Sequence, residues 1–103
     1  MKIQVVHIDE CPNWETTGDR VQAVLGRLGL PDVPVEFVLV ETLVDAAAVG
    51  FAGSPTVLVD GEDVVPSAGQ TTNIACRVYA TETGLAWLPS ESQIEAGIRA
   101  RLS

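Results

Sequence analysis

The chain has 103 residues, 47% of them hydrophobic and 19% charged, with a formal net charge of −8 and a mean hydropathy of +0.26. That length suits one domain, 1–103, with a modest core of its own, and the acidic balance argues against nucleic acid and anionic membrane surfaces, which require a basic patch. No apolar run approaches a membrane span and the chain opens on a strand pattern rather than a signal peptide, so a soluble cytoplasmic protein is expected.

Two cysteines in such a chain suggest a reducing compartment, where thiols are chemical or merely buried rather than structural disulfides. The first element is a strand over residues 2–8, KIQVVHI, in which Val5, Val6 and Ile8 are β-formers. His7 in that strand reads either as a partly buried, hydrogen-bonded histidine or as a base serving Cys11, and the first is the plainer reading. Asp9-Glu10-Cys11-Pro12-Asn13-Trp14 leads into a helix expected from residue 12 to about 28. With Pro12 at the first helical position, Cys11 falls at the N-cap, where free N–H groups and the helix dipole stabilise a thiolate. Asp9 and Glu10 oppose that effect, and the alternative is a buried, inert cysteine. Val21, Val24, Leu25 and Leu28 form an apolar stripe, Gly29 and Pro31 end the helix, and Gly18 weakens its first half.

Residues 35–40, VEFVLV, are nearly continuous in apolar side chains and read as a strand buried on both faces, parallel to the first through a right-handed crossover. Thr42, with Asp45 three positions on, caps a short helix carried by Leu43, Ala46 and Ala47 and ended by Gly50. The stretch 51–65, FAGSPTVLVDGEDVV, places Pro55 before a strand and Asp60-Gly61 between two apolar runs, the signature of a type I′ hairpin. The order is that of an α/β protein.

Between 66 and 89 the pattern weakens. PSAGQTT is a loop by composition, and residues 74–79, IACRVY, suit a strand or a short helix equally. Thr83-Gly84 marks a turn, and residues 85–88, with Trp87, form an apolar run expected to pack over an end of the core. Ser90 and Gln93 make a capping box for a last helix, with Ile94, Ile98 and Leu102 buried and Arg99 and Arg101 at its C-terminal end.

The element order, the Cys11-Pro12 helix start and the Ser54-Pro55-Thr56 loop together resemble the thioredoxin-like superfamily. The resemblance implies a three-layer fold, a central mixed sheet of about four to five strands flanked by helices, with Pro55 cis and packed against the Cys-bearing helix start. Trp14 stands where the family's Cys-x-x-Cys motif has its second cysteine, so an ordinary thioredoxin dithiol is absent. More narrowly, CPN, GSPT with its Asp-Gly turn, and Cys76-Arg77-Val78-Tyr79 look like small members labelled alkylmercury lyase-like. Such a lyase needs two thiolates and an acid, for which Cys11, Cys76 and either Asp9 or Asp63 are available. No aspartate matches the enzyme's motif, however, and its long helical region is missing.

Cys76 reads as a packed core cysteine or as a second thiol facing Cys11, its thiolate favoured by Arg77. A disulfide between them requires Cα atoms within about 7 Å. Cys11 is expected to be partly open to solvent and to be the more reactive of the two. A structural zinc site needs four N or S ligands, which Cys11, Cys76 and His7 do not supply, and no cofactor is expected. Three classes remain: a thiol oxidoreductase with Cys11 as nucleophile and Cys76 as resolving thiol, a soft-metal or organomercurial binder using both, and a non-catalytic binding module. For the first, Ser54, Pro55, Thr56, Trp14 and Arg77 are the expected binding residues, and the partner is a thiol-containing small molecule or peptide.

Overall fold

The computed structural model describes residues 1–66 and 74–102. Strand β1 (Ile3–His7) lies inside a four-stranded mixed sheet of order β2-β1-β3-β4. It pairs parallel with β2 (Val35–Leu39) and antiparallel with β3 (Thr56–Val59), and β3 pairs antiparallel with β4 (Glu62–Asp63). Strands β5 (Tyr79–Thr81) and β6 (Gly84–Ala86) form a separate antiparallel pair. The helices are α1 (Trp14–Arg27), α2 (Leu43–Val49) and α3 (Glu91–Arg99). The molecule is thus an α/β protein built on a mixed sheet.

Side-chain alternation along β1 and β3 divides the core in two. Ile3, Val5, Val57 and Val59 pack with Val21, Val24 and Leu25 of α1 and Ile94 and Ile98 of α3. Val6 and Leu58 pack on the opposite side with Ile8, Val40, Ala46 of α2, Phe51 and Cys11. Each fully buried aliphatic side chain contributes about 1.5–3 kcal/mol. All four residues of β3 are buried, so it is this strand that is covered on both faces.

Strand β2, expected to be covered in that way, is instead a sheet edge, with Phe37 45% exposed. A continuous apolar run is buried on both faces only where layers cover both faces, and at the sheet edge beside β1 the described residues leave Phe37 and Leu39 exposed. Its Phe37 ring lies over Gly18 of α1, where an added methyl would stand 2.6 Å from the ring's Cε1. Gly18 therefore permits a close approach there.

Helix α1 begins at Trp14 rather than residue 12, with Asn13 as N-cap, because the first helical bond runs from the Thr17 N–H to the Asn13 carbonyl. Cys11 accordingly lies two residues outside the cap. At the other end the Leu30 N–H reaches the Leu25 carbonyl and the Gly29 N–H the Gly26 carbonyl, a Schellman closure around the positive φ of Gly29. Thr42 caps α2 by accepting from the Asp45 N–H, and Gly50 ends it in the left-handed region, both as expected. Of the expected stripe only Ala46 is buried, while Leu43 and its neighbour Val44 are exposed.

Asp60 and Gly61 have φ of 51° and 85°, the pair of positive values that a type I′ turn requires. Beyond Pro66, the loop expected over 66–72 lies outside the described residues. Residues 74–78 form neither helix nor regular strand; they make an isolated parallel bridge between Cys76 and Ser54 before β5 begins. The following turn falls at Glu82-Thr83, one residue before the expected place. Trp87 is 55% exposed and Leu85 more so, against the expectation that this run packs over an end of the core: among the described residues β6 pairs with β5, in a sheet separate from the four-stranded one. Ser90 and Gln93 form the expected capping box on α3. That helix stops at Arg99, leaving Leu102 exposed, and its Gly97 sits against the backbone and side chain of Val64. Among the described residues no helix is long and apolar enough to cross a membrane.

Candidate functional site

The site is assembled at the ends of β1 and β3. The Thr56 hydroxyl donates to the Gly53 carbonyl and accepts from the Ala52 N–H, which fastens the turn into β3. The Ser54 hydroxyl accepts from the Ile8 N–H at 3.1 Å, tying that turn to the end of β1. The Ser54–Pro55 peptide is cis, as the resemblance implied. The Pro55 carbonyl accepts from the Tyr79 hydroxyl. Ser54, Pro55 and Thr56 are all buried, and the two hydroxyls and the Pro55 carbonyl are engaged within the chain.

The Ser54 backbone then positions Cys76. Its N–H donates to the Ala75 carbonyl and its carbonyl accepts from the Arg77 N–H, each at 2.9 Å. These bonds flank Cys76 and hold residues 75–77 extended beside the loop. Cys11 approaches from the other direction, on a turn in which its N–H reaches the Ile8 carbonyl. The two cysteines form a disulfide with Cα atoms 6.0 Å apart, within the usual span for such bonds. The sequence left this pairing open as one of two readings of Cys76, and it is present. Periodicity could not find this pairing, because it depends on two backbone hydrogen bonds to a residue twenty-two positions earlier.

Exposure of the two sulfur residues is the reverse of expectation. Cys11 is 1% exposed, packed among Val6, Ile8, Val40, Ala46, Phe51 and Leu58, whereas Cys76 is exposed. The core reading of Cys76 is thereby overturned, and so is the solvent-open reading of Cys11. Cys11 enters the apolar layer because the chain turns inward after Ile8, before α1 starts. The helix dipole acts mainly over the first turn, and Cys11 lies upstream of it. Ile8 and Val40, which pack in the same cluster as Cys11, also line an open cleft of about 180 Å³ with Asp9, Glu10, Glu41 and Ile74.

Arg77 follows Cys76 in an extended stretch, so its side chain takes the opposite direction. It is fully buried, donates to Asp63 Oδ2 at 2.8 Å and to the Val65 carbonyl, and places its guanidinium 4.4 Å from the Tyr79 ring centroid. The expected help to a Cys76 thiolate is corrected on this ground: the charge is committed to Asp63 on the interior side. Asp63, one of the two expected acids, is held by the same ion pair. Burial pushes the Tyr79 hydroxyl far above its ordinary pKa, Arg77 opposing, so it remains a neutral donor to Pro55. Sequence reading missed this cluster. The available signal was an arginine inside an apolar run, since a buried guanidinium requires an acidic or carbonyl partner.

His7 is nearly buried, with its ring stacked on Trp14 at a centroid distance of 4.5 Å. Trp14 in turn meets Phe37 edge-on at 5.2 Å. Trp14, half-buried as the first residue of α1, is therefore the middle of an aromatic row. Burial lowers the His7 pKa, outweighing the opposing influence of the Ile8 backbone and of the Asp9 charge, and keeps the imidazole neutral at neutral pH. Among the described residues no three His, Cys, Asp or Glu side chains converge as a metal site would require.

Comparisons of the chain with protein-family models, with curated proteins and with solved structures find no match.

Proposed function

We propose that the chain is a thioredoxin-like thiol–disulfide exchange protein whose redox pair is Cys11 and Cys76. The observation that carries this reading is a disulfide with one exposed and one buried member, at the end of the central strands. A purely structural bond is best sealed on both sides, whereas an exchanging one needs a sulfur that solvent-borne thiols can reach. The parallel β1–α1–β2 unit, the antiparallel β3–β4 return and a last helix on the α1 side support the thioredoxin-like arrangement. The bond accepts two electrons from two thiols of a small molecule or peptide, giving the partner disulfide and two protein thiols. A cytoplasmic thiol pool would supply such partners.

The test is a titration of the native protein in glutathione redox buffers, with free thiols counted by alkylation and mass. Both cysteines should appear and disappear together, reversibly, while the far-ultraviolet circular dichroism stays folded. Thiols that appear only on unfolding would defeat the reading and leave a non-catalytic module. The closeness of the sulfurs also favours a second reading, in which the reduced pair grips a soft cation in two-coordinate geometry. One equivalent of mercuric ion should then protect both thiols from alkylation.

A further inference from the structure

We infer that Cys76 is the residue at which external thiols and disulfides react, and that Cys11 is the internal resolving thiol. The inference rests on the exchange reading above and reverses the roles expected from the helix-start position of Cys11.

Thiol–disulfide exchange proceeds in line: the attacking sulfur, the sulfur attacked and the sulfur that leaves lie along one axis. An attack on Cys11 would have to arrive from behind its sulfur, on the side away from Cys76. Cys11 is enclosed there by the layer of Val6, Ile8, Val40, Ala46, Phe51 and Leu58. Attack on Cys76 arrives from the solvent side, where that residue is exposed. Access selects Cys76.

The surrounding contacts also suit the second half of the cycle. Once the disulfide opens, Cys76 remains tied to Ser54 by the bonds at Ala75 and Arg77, and Arg77 remains tied to Asp63. The sulfurs therefore stay neighbours, as resolution requires. In the reducing direction an external thiolate bonds to the Cys76 sulfur, the Cys11–Cys76 bond breaks, and the electron pair leaves on Cys11. Its apolar surroundings disfavour the anion, so Cys11 takes a proton from water. A second external thiolate then attacks the partner's sulfur in the mixed disulfide, releasing the partner disulfide and the Cys76 thiolate. In the oxidising direction the Cys76 thiolate attacks a partner disulfide and expels one thiolate. Cys11 then gives up its proton, attacks the Cys76 sulfur and expels the other.

The test compares C11S, which leaves Cys76, with C76S, which leaves Cys11, each shown folded by circular dichroism and treated with 2,2′-dithiodipyridine. Cys76 in C11S should react at least about tenfold faster than Cys11 in C76S. Glutathione disulfide should leave a stable mixed disulfide on Cys76 in C11S. If either variant fails to fold, oxidised wild-type protein is treated with limiting thiol, quenched in acid and mapped, and the adduct should be on Cys76. Equal rates, a faster Cys11, or an adduct on Cys11 would overturn the assignment. A wild-type disulfide that resists thiols in the folded state, beside a fast Cys76 in C11S, would instead defeat the exchange reading alone.

Discussion

The extended segment around Cys76 is fastened at two adjacent residues by opposite kinds of bond. On the outer side Cys76, exposed, is joined to Cys11 by a covalent link. On the inner side Arg77, fully buried, is held by Asp63, the Val65 carbonyl and the Tyr79 ring. Only the outer fastening can be undone without exposing a buried charge. The contrast teaches that the segment has an inner anchor involving neither cysteine, so opening the outer link is expected to leave it in place.

The largest effect expected from breaking this contrast is at the anchor. Arg77→Met removes one partner of a buried pair and should cost about 3–5 kcal/mol in denaturant unfolding, since Asp63 then keeps a largely buried charge. The loss should be similar in oxidised and reduced protein; a loss under about 1 kcal/mol would mean that the anchor is not the clamp. Opening the outer link comes next. Reduction removes a cross-link spanning 65 positions and should lower stability by about 2–4 kcal/mol, chiefly by freeing the unfolded chain. The reduced protein should nonetheless stay folded, with the amides of Ser54 and Arg77 still protected from hydrogen exchange. Loss of that protection would show that the outer bond carries the segment.

A smaller effect separates a rigid from a yielding helix–sheet contact. In Gly97→Ala the new methyl meets the Val64 carbonyl and stands 2.6 Å from its Cβ, atoms of fixed backbone and β-carbon. Overpacking of about 1–3 kcal/mol then outweighs or cancels the roughly 1 kcal/mol gained by replacing glycine in a helix. Gly18→Ala meets only the far end of the half-exposed Phe37 ring, which can turn aside. Thermal unfolding should place that variant between no change and about 1 kcal/mol of stabilisation.

The smallest effect is electrostatic. Burial lowers the folded-state pKa of His7 below its ordinary 6.5, so the unfolded chain binds the proton more tightly. Its contribution is constant above pH 6.5 and declines as pH falls from there to the folded-state value, below which it is level again. His7→Gln should flatten that part of the stability profile in urea titrations while leaving the slope at lower pH, where carboxylates titrate, in place.

What the sequence determined by itself is the chemistry that acts within a few residues. The Asp60-Gly61 turn, the Thr42 cap on α2, the Ser90 and Gln93 capping box and the Gly29 and Gly50 stops are all present, because each depends on a side chain or φ value and a partner no more than one helical turn away. The two strands β1 and β3 were legible for a related reason: their apolar pattern and their actual burial agree. Tertiary structure decided the rest. VEFVL in β2 is as apolar as TVLV in β3, yet it lies at an edge, since burial of a strand depends on what covers it. Cys76 and Arg77 are neighbours with opposite environments. An extended chain sends successive side chains to opposite sides, and only the pairing of Cys76 with Ser54 determined which side was solvent and which was core.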